Sequence, residues 1–72
     1  MVDYNSLKKA LEDYGEIMIK TDSGSIFELH KHNVTFDDST KTIIVDAANE
    51  IFWIDSDKIE YYWIHKKAIE QK

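Results

Sequence analysis

The chain has 72 residues and no cysteine, and its 14 acidic side chains outnumber nine basic ones to give a net charge of −5. This length supports one domain with one small core, and the lack of cysteine excludes disulfide frameworks, cysteine zinc sites, iron–sulfur clusters and thiol catalysis. All nine basic residues are lysines, so the guanidinium fork that binds guanine edges and phosphates is missing and nucleic acid is an unfavoured partner.

The N-terminal segment has the spacing of an amphipathic helix over residues 3–14. Its apolar residues recur at i, i+3, i+4 and i+7, namely Leu7, Ala10, Leu11 and Tyr14. This spacing places them on one face of the helix. Asp3 or Asn5 is the candidate N-cap, and Gly15 supplies the left-handed residue that ends the helix. We therefore expect a short helix that lies on an apolar surface.

From residue 16 the apolar period falls to two, and β-branched and aromatic residues predominate. The predicted strands cover residues 16–21, 25–32, 34–36, 41–46, 50–54 and 59–65. Asn33 marks a bend, and three consecutive apolar residues from Ile43 to Val45 indicate a strand that is buried on both faces. The sequence predicts a mainly β (α+β) domain over residues 1–72, with a β meander over 16–66 and a polar tail over 67–72. Its five or six antiparallel strands form a strongly bent sheet or a small barrel.

The order of these elements resembles the Sm-like barrels. The resemblance rests on the Asp22-Ser23-Gly24 hairpin, a bent strand that reaches Phe36-Asp37, and a closing pair of strands at 51–54 and 59–62. It implies a ring or another closed homo-oligomer that is joined through strand edges. The residues with which family members bind RNA are missing, because Asp38-Ser39-Thr40 and Asp55-Ser56-Asp57 stand at those places. The same order of elements also resembles that of an SH3-like barrel.

An aromatic cluster occupies the last two predicted strands, with Phe52, Trp53, Tyr61, Tyr62 and Trp63. Neighbouring residues of a strand point to opposite faces. Either Trp53 with Tyr61 and Trp63, or Phe52 with Tyr62, must therefore face away from the core. Such a surface becomes dry only against the helix, a second subunit or a ligand. The cluster is our main candidate for an interface or stacking site.

Acidic residues concentrate in one block, because residues 37–60 contain seven acidic side chains and two lysines. Asp37, Asp38, Asp55 and Asp57 form a predicted acidic rim that would attract a basic partner. Aspartates in turns also accept hydrogen bonds from local backbone N–H groups, and acidity of this size also serves solubility. These interpretations remain open at this point.

Two histidines alternate at His30 and His32, so on a strand both would point to one face. Glu28 lies on that face, and His65 could approach from the last strand to complete a metal site. The alternative is a solvated polar face, and we expect no metal and no other cofactor. Lys66 and Lys67 are candidate phosphate contacts if the chain binds a nucleotide.

These patterns predict a non-enzymatic, acidic binding module that self-associates and acts on a protein partner. No apolar run approaches the roughly 18 residues of a membrane span, so we expect a cytoplasmic protein without membrane contact. The use of lysine without arginine and the many isoleucines are typical of AT-rich genomes, which suits a phage or mobile-element inhibitor of a host protein. The alternatives are an oligomeric module that sequesters or senses a nucleotide and, after that, an Sm-like RNA-binding protein.

Overall fold

The computed structural model describes residues 2–66. One helix precedes six strands in the order α1 (Tyr4–Tyr14), β1 (Glu16–Thr21), β2 (Ile26–His30), β3 (Val34–Asp37), β4 (Thr42–Asp46), β5 (Ile51–Asp55) and β6 (Ile59–Trp63). The strands form two antiparallel three-stranded sheets, a first sheet ordered β2-β1-β6 and a second ordered β3-β4-β5. The predicted class, mainly β with an N-terminal helix and six strands, is confirmed. Among residues 2–66, strand pairing stays within these two sheets and closes no barrel.

Helix α1 begins and ends where the sequence predicts. The Asp3 carboxylate accepts a hydrogen bond from the backbone N–H of Ser6 at 3.0 Å, which caps the first turn. Gly15 has a φ of 80°, and its N–H donates to the carbonyl of Leu11 at 2.8 Å. The buried side of the helix presents Leu7 and Leu11 to the core.

The helix is also tied to the turn after β3. The hydroxyl of Tyr4 donates to the Asp38 carboxylate at 2.7 Å, and the Lys8 ammonium donates to the same oxygen at 2.9 Å. Burial and the neighbouring Asp38 charge raise the pKa of Tyr4 to about 12. The hydrogen bond from Tyr4, helped by that from Lys8, lowers the pKa of Asp38. Folding therefore favours the neutral phenol and the ionised carboxylate.

This contact predicts an alkaline loss of stability. Unfolded tyrosine ionises near pH 10 and folded Tyr4 near 12. The contribution of Tyr4 is therefore complete below pH 10 and is lost as the pH rises towards 12. We expect Tyr4→Phe to be less stable than the wild type at pH 8, by about 1 kcal/mol for the missing hydrogen bond. The difference should shrink above pH 10 in urea unfolding, and a pH-independent difference would contradict this assignment.

Three connections differ from the sequence-based prediction. Strand β2 ends at His30 and not at residue 32, because Asn33 closes a turn. The Asn33 side-chain oxygen accepts the N–H of His30 at 2.9 Å, and the Asn33 N–H donates back to the His30 carbonyl at 3.1 Å. Strand β6 ends at Trp63 instead of residue 65. The tight connection before β6 is a short 3₁₀ helix, Ser56–Lys58, that Asp55 caps.

The core lies between the facing sides of the two sheets and under α1. Its buried residues are Leu7, Leu11, Ile17, Ile19, Leu29, Ile43, Val45, Ile54 and Ile59. Phe27 of the first sheet and Phe52 of the second meet edge to face, with ring centroids 5.0 Å apart. Ile44, predicted to be buried with its neighbours, is only half-buried because it points to the other face of β4.

Across residues 2–66, no helix has the length and apolarity that a bilayer crossing requires.

Candidate functional site

The outward side of the second sheet carries the most exposed large apolar side chain described, Trp53. Strand register places Thr35, Ile44 and Trp53 in one row across β3, β4 and β5. Trp53 is 66% exposed, and Ile51, two residues earlier on the same face of β5, is 51% exposed. We call this outward surface of Thr35, Ile44, Ile51 and Trp53 the Trp53 face. It is an open apolar surface on a rigid sheet.

Aspartates stand at both ends of the Trp53 face. At one end, Asp37 and Asp55 flank Thr42 in the row next to Trp53. At the other end, Asp46 lies opposite Ile51 and is exposed. The apolar centre is therefore bounded by carboxylates along the strand direction. This arrangement suits a partner surface with an apolar centre and basic flanks.

The four predicted rim residues are not equivalent. Asp37 accepts from the N–H and hydroxyl of Ser39 at 3.1 and 2.7 Å, and these hydrogen bonds lower the pKa of Asp37. Asp55 accepts the N–H of Asp57 at 3.0 Å, while Asp38 faces the helix as described above. Local capping, the alternative for aspartates in turns, therefore applies to Asp37 and Asp55. Both carboxylates still lie at one end of the Trp53 face, whereas Asp46, at the other end, was not among the predicted rim residues.

The first sheet has its own aromatic surface. Tyr61 and Trp63 point outward from β6, with ring centroids 5.4 Å apart and a tilt of 44°. The Lys20 ammonium lies 5.6 Å from the centre of the Tyr61 ring and 3.8 Å from a Glu60 carboxylate oxygen. Trp63 pairs with Met18 across the sheet. These contacts cover part of each ring. Tyr61 is 47% exposed, whereas Trp53 is 66% exposed.

The structure separates the five predicted aromatic residues. Trp53 belongs to the second sheet, whereas Tyr61 and Trp63 belong to the first. Phe52 and Tyr62 are half-buried and pack against the core. Of the two arrangements that sequence alternation left open, the outward set is therefore Trp53 with Tyr61 and Trp63, but on two surfaces.

A cluster of possible metal ligands lies at one end of the outward side of the first sheet. The Nε2 atom of His30 lies 3.2 Å from a Glu28 carboxylate oxygen and 3.6 Å from a Glu16 carboxylate oxygen. One potential donor atom from each residue falls within 4.8 Å of the others. A hydrogen bond between the two carboxyls raises the pKa of Glu16 and lowers that of Glu28. We call these three residues the Glu16–Glu28–His30 cluster.

The other predicted metal ligands and phosphate contacts lie outside this cluster. His32 lies in the turn after β2, with its ring centroid 5.3 Å from that of His30, and does not belong to the three-residue group. His65 is close enough for its charge to lower the pKa of both glutamates. Lys66 is exposed, and Lys67 lies outside the described residues. Glu16 is the candidate ligand that sequence analysis missed.

A groove of about 430 Å³ runs between α1 and β3, over an apolar floor that includes Leu11 and Phe36. Three lysines line it, which suggests an anion site. Each of them already has a carboxylate partner, in the pairs Lys8–Asp38 at 2.9 Å, Lys9–Asp13 at 3.1 Å and Lys31–Glu12 at 3.5 Å. The local positive charge is therefore largely neutralised, and we assign no phosphate site there.

The strongest candidate for a functional surface is thus the Trp53 face, followed by the Glu16–Glu28–His30 cluster. Comparison of the chain with protein-family models, curated proteins and solved structures gives no match.

Proposed function

We propose that the protein is a non-enzymatic, acidic binding module whose Trp53 face docks on a protein partner. The observation that supports this function best is the exposure of Trp53, which is 66% exposed on the outward side of the edge strand β5. Tryptophan is among the residues that contribute most binding energy at protein interfaces. The strand pairs of β5 fix the backbone that carries the ring, so that binding orders only the side chain.

The charge around this face points to the chemistry of the partner. Asp46 at one end and Asp37 with Asp55 at the other favour a partner that carries lysine or arginine around an apolar pocket. The block of residues 37–60, with its seven acidic side chains, would attract that partner at long range. An inhibitor of a basic host protein, of the kind that phages and mobile elements encode, fits this chemistry.

We extend the proposal to self-association and to the small-barrel architecture that the resemblance to Sm-like and SH3-like proteins implies. Strands β2 and β6 are the outer strands of the first sheet, and β3 and β5 those of the second. An outer strand that is left uncovered can pair with a strand of another copy. A molar mass above that of one chain in sedimentation equilibrium would support this part of the proposal, and a strict monomer would remove it.

Replacing Trp53 by alanine should abolish partner binding without loss of fold. We expect an affinity at least about 30-fold weaker, because central interface tryptophans contribute 2 kcal/mol or more. The unfolding free energy should change by less than about 0.5 kcal/mol, since the side chain is exposed. The experiment is affinity capture from the source cell, mass-spectrometric identification of the captured protein, and calorimetric titration of that purified partner.

Tyr61→Ala is the matched control, because it removes an exposed aromatic ring from the first sheet instead of the second. It should bind the partner as the wild type does. Asp46→Asn should slow association and reduce its dependence on salt. Equal binding by Trp53→Ala and the wild type would refute docking through the Trp53 face.

A further inference from the structure

The Glu16–Glu28–His30 cluster arises from strand register. Antiparallel pairing of β1 with β2 places Glu16 opposite His30 and Met18 opposite Glu28. Glu28 and His30 are alternate residues of β2, so their side chains leave the same face of the sheet as that of Glu16. All three side chains are only partly covered or exposed, which leaves the cluster open to solvent.

The distances within the cluster match the spacing of ligands around a small cation. Zinc–ligand bonds are about 2.1 Å for imidazole nitrogen and carboxylate oxygen, so neighbouring donors of a tetrahedral site lie about 3.4 Å apart. The His30 Nε2 atom lies 3.2 Å from the Glu28 oxygen and 3.6 Å from the Glu16 oxygen. The donor atoms of all three residues, including the two carboxylates, lie within 4.8 Å of one another.

We propose that Glu16, Glu28 and His30 bind a divalent first-row transition metal ion of the Zn²⁺ type. One imidazole and two carboxylates are donors that this class of ion accepts, whereas Mg²⁺ and Ca²⁺ prefer oxygen ligands alone. The two carboxylates would neutralise the charge of the ion. This site lies on the first sheet and does not depend on the function proposed for the Trp53 face.

His65 lies near this site, because its charge lowers the pKa of both Glu16 and Glu28. The register of β1 and β6 pairs Ile19 with Tyr62 and Met18 with Trp63. Strand β6 ends at Trp63, and the same register continued for two more residues would place His65 beside Glu16. A tetrahedral site built on these three protein ligands would take one further donor.

The competing explanation of the cluster is a charge pair without metal. A protonated His30 between Glu16 and Glu28 would balance part of their charge by itself, and at 3.2 and 3.6 Å the contacts also suit ion pairs. The two explanations differ in what the purified protein does when Zn²⁺ is added, because only a metal site predicts saturable one-to-one binding that depends on Glu16 and His30.

Isothermal titration of ZnCl₂ into tag-free protein, freed of metal by chelator and dialysis, tests the proposal. We expect saturable one-to-one binding and a rise in melting temperature, because the ion would cross-link β1 and β2 in the folded state alone. Glu16→Gln and His30→Gln should each weaken Zn²⁺ binding by more than about tenfold, since even residues behind the ligands contribute that much. Co²⁺ added as a coloured substitute should give visible absorption bands that His30→Gln alters.

Glu50→Gln is the matched control, because it removes one negative charge at an exposed position before β5, in the second sheet. It should bind Zn²⁺ within about twofold of the wild type. Circular dichroism of each variant confirms the fold. The proposal is overturned if Zn²⁺ shows no saturable binding up to millimolar concentration, or if Glu16→Gln and His30→Gln bind it as tightly as Glu50→Gln. Either result would leave His30 as the counter-ion of the two glutamates.

Discussion

Replacement of Leu7 by alanine is expected to lower the free energy of unfolding by about 3 kcal/mol. Leu7 is fully buried and packs from α1 into the core that the two sheets share. Alanine is the best helix former, so helix propensity does not fall and the loss comes from buried volume. A domain of this length has a total stability of only about 4–11 kcal/mol. The substitution should therefore remove between about a quarter and three quarters of the total stability.

Urea unfolding followed by circular dichroism measures this effect, with Lys9→Ala as the control. Lys9 lies in the same helix but is exposed, and its ion pair with Asp13 is of the surface type, which contributes about 0.5 kcal/mol or less. An equal and small effect of both substitutions would mean that α1 is not packed on the sheets as described. A large effect confined to Leu7 would show that the helix is part of the cooperative unit.

The sequence was sufficient to predict α1 because three independent signals agree there. Apolar spacing, an N-cap at Asp3 and a left-handed residue at Gly15 all indicate the same helix, and the structure has it at Tyr4–Tyr14. Most strands were also predictable within two residues, since alternation and turn residues occur together. The end of β2 was not predictable in this way. The alternation continues past His30, but two hydrogen bonds between Asn33 and His30 form a turn that ends the strand there.

The candidate surfaces were only partly predictable from sequence. Alternation requires Phe52 and Trp53 to face opposite sides, but it does not say which side is the core. Register decides this, because Phe52 pairs with buried Val45 whereas Trp53 pairs with Ile44 on the other face. Strand order, which alternation does not report, then assigns Trp53 and Tyr61 to different sheets.

Glu16 was missed for a related reason, although the sequence contained a usable signal. The turn that closes at Gly24 sets the register of β1 and β2, with Lys20 opposite Ile26. Counting back along both strands from that turn places Glu16 opposite His30. The Glu16–Glu28–His30 cluster therefore depends on a tertiary pairing that spacing along one strand does not show.

Replacement of Phe52 by alanine provides the sharpest test of which aromatic residues stabilise the fold. Phe52 is half-buried and contacts Phe27 edge to face across the core, so we expect a loss of about 2–3 kcal/mol in the free energy of unfolding. Its neighbour Trp53 points the other way and is 66% exposed. Trp53→Ala should therefore change stability by less than about 0.5 kcal/mol.

A double-mutant cycle in urea unfolding separates the Phe27–Phe52 contact from general loss of buried area. The coupling energy between Phe27→Ala and Phe52→Ala should be about 0.5–1.5 kcal/mol, the range for aromatic pairs. Phe27→Ala and Trp53→Ala should show a smaller coupling energy, since Phe27 packs against the core whereas Trp53 is 66% exposed. If Trp53→Ala were destabilising and Phe52→Ala neutral, the assignment of the inner and outer faces of β5 would be wrong. The docking surface proposed here would then be part of the core, because a side chain cannot both fill the space between the sheets and remain available to a partner.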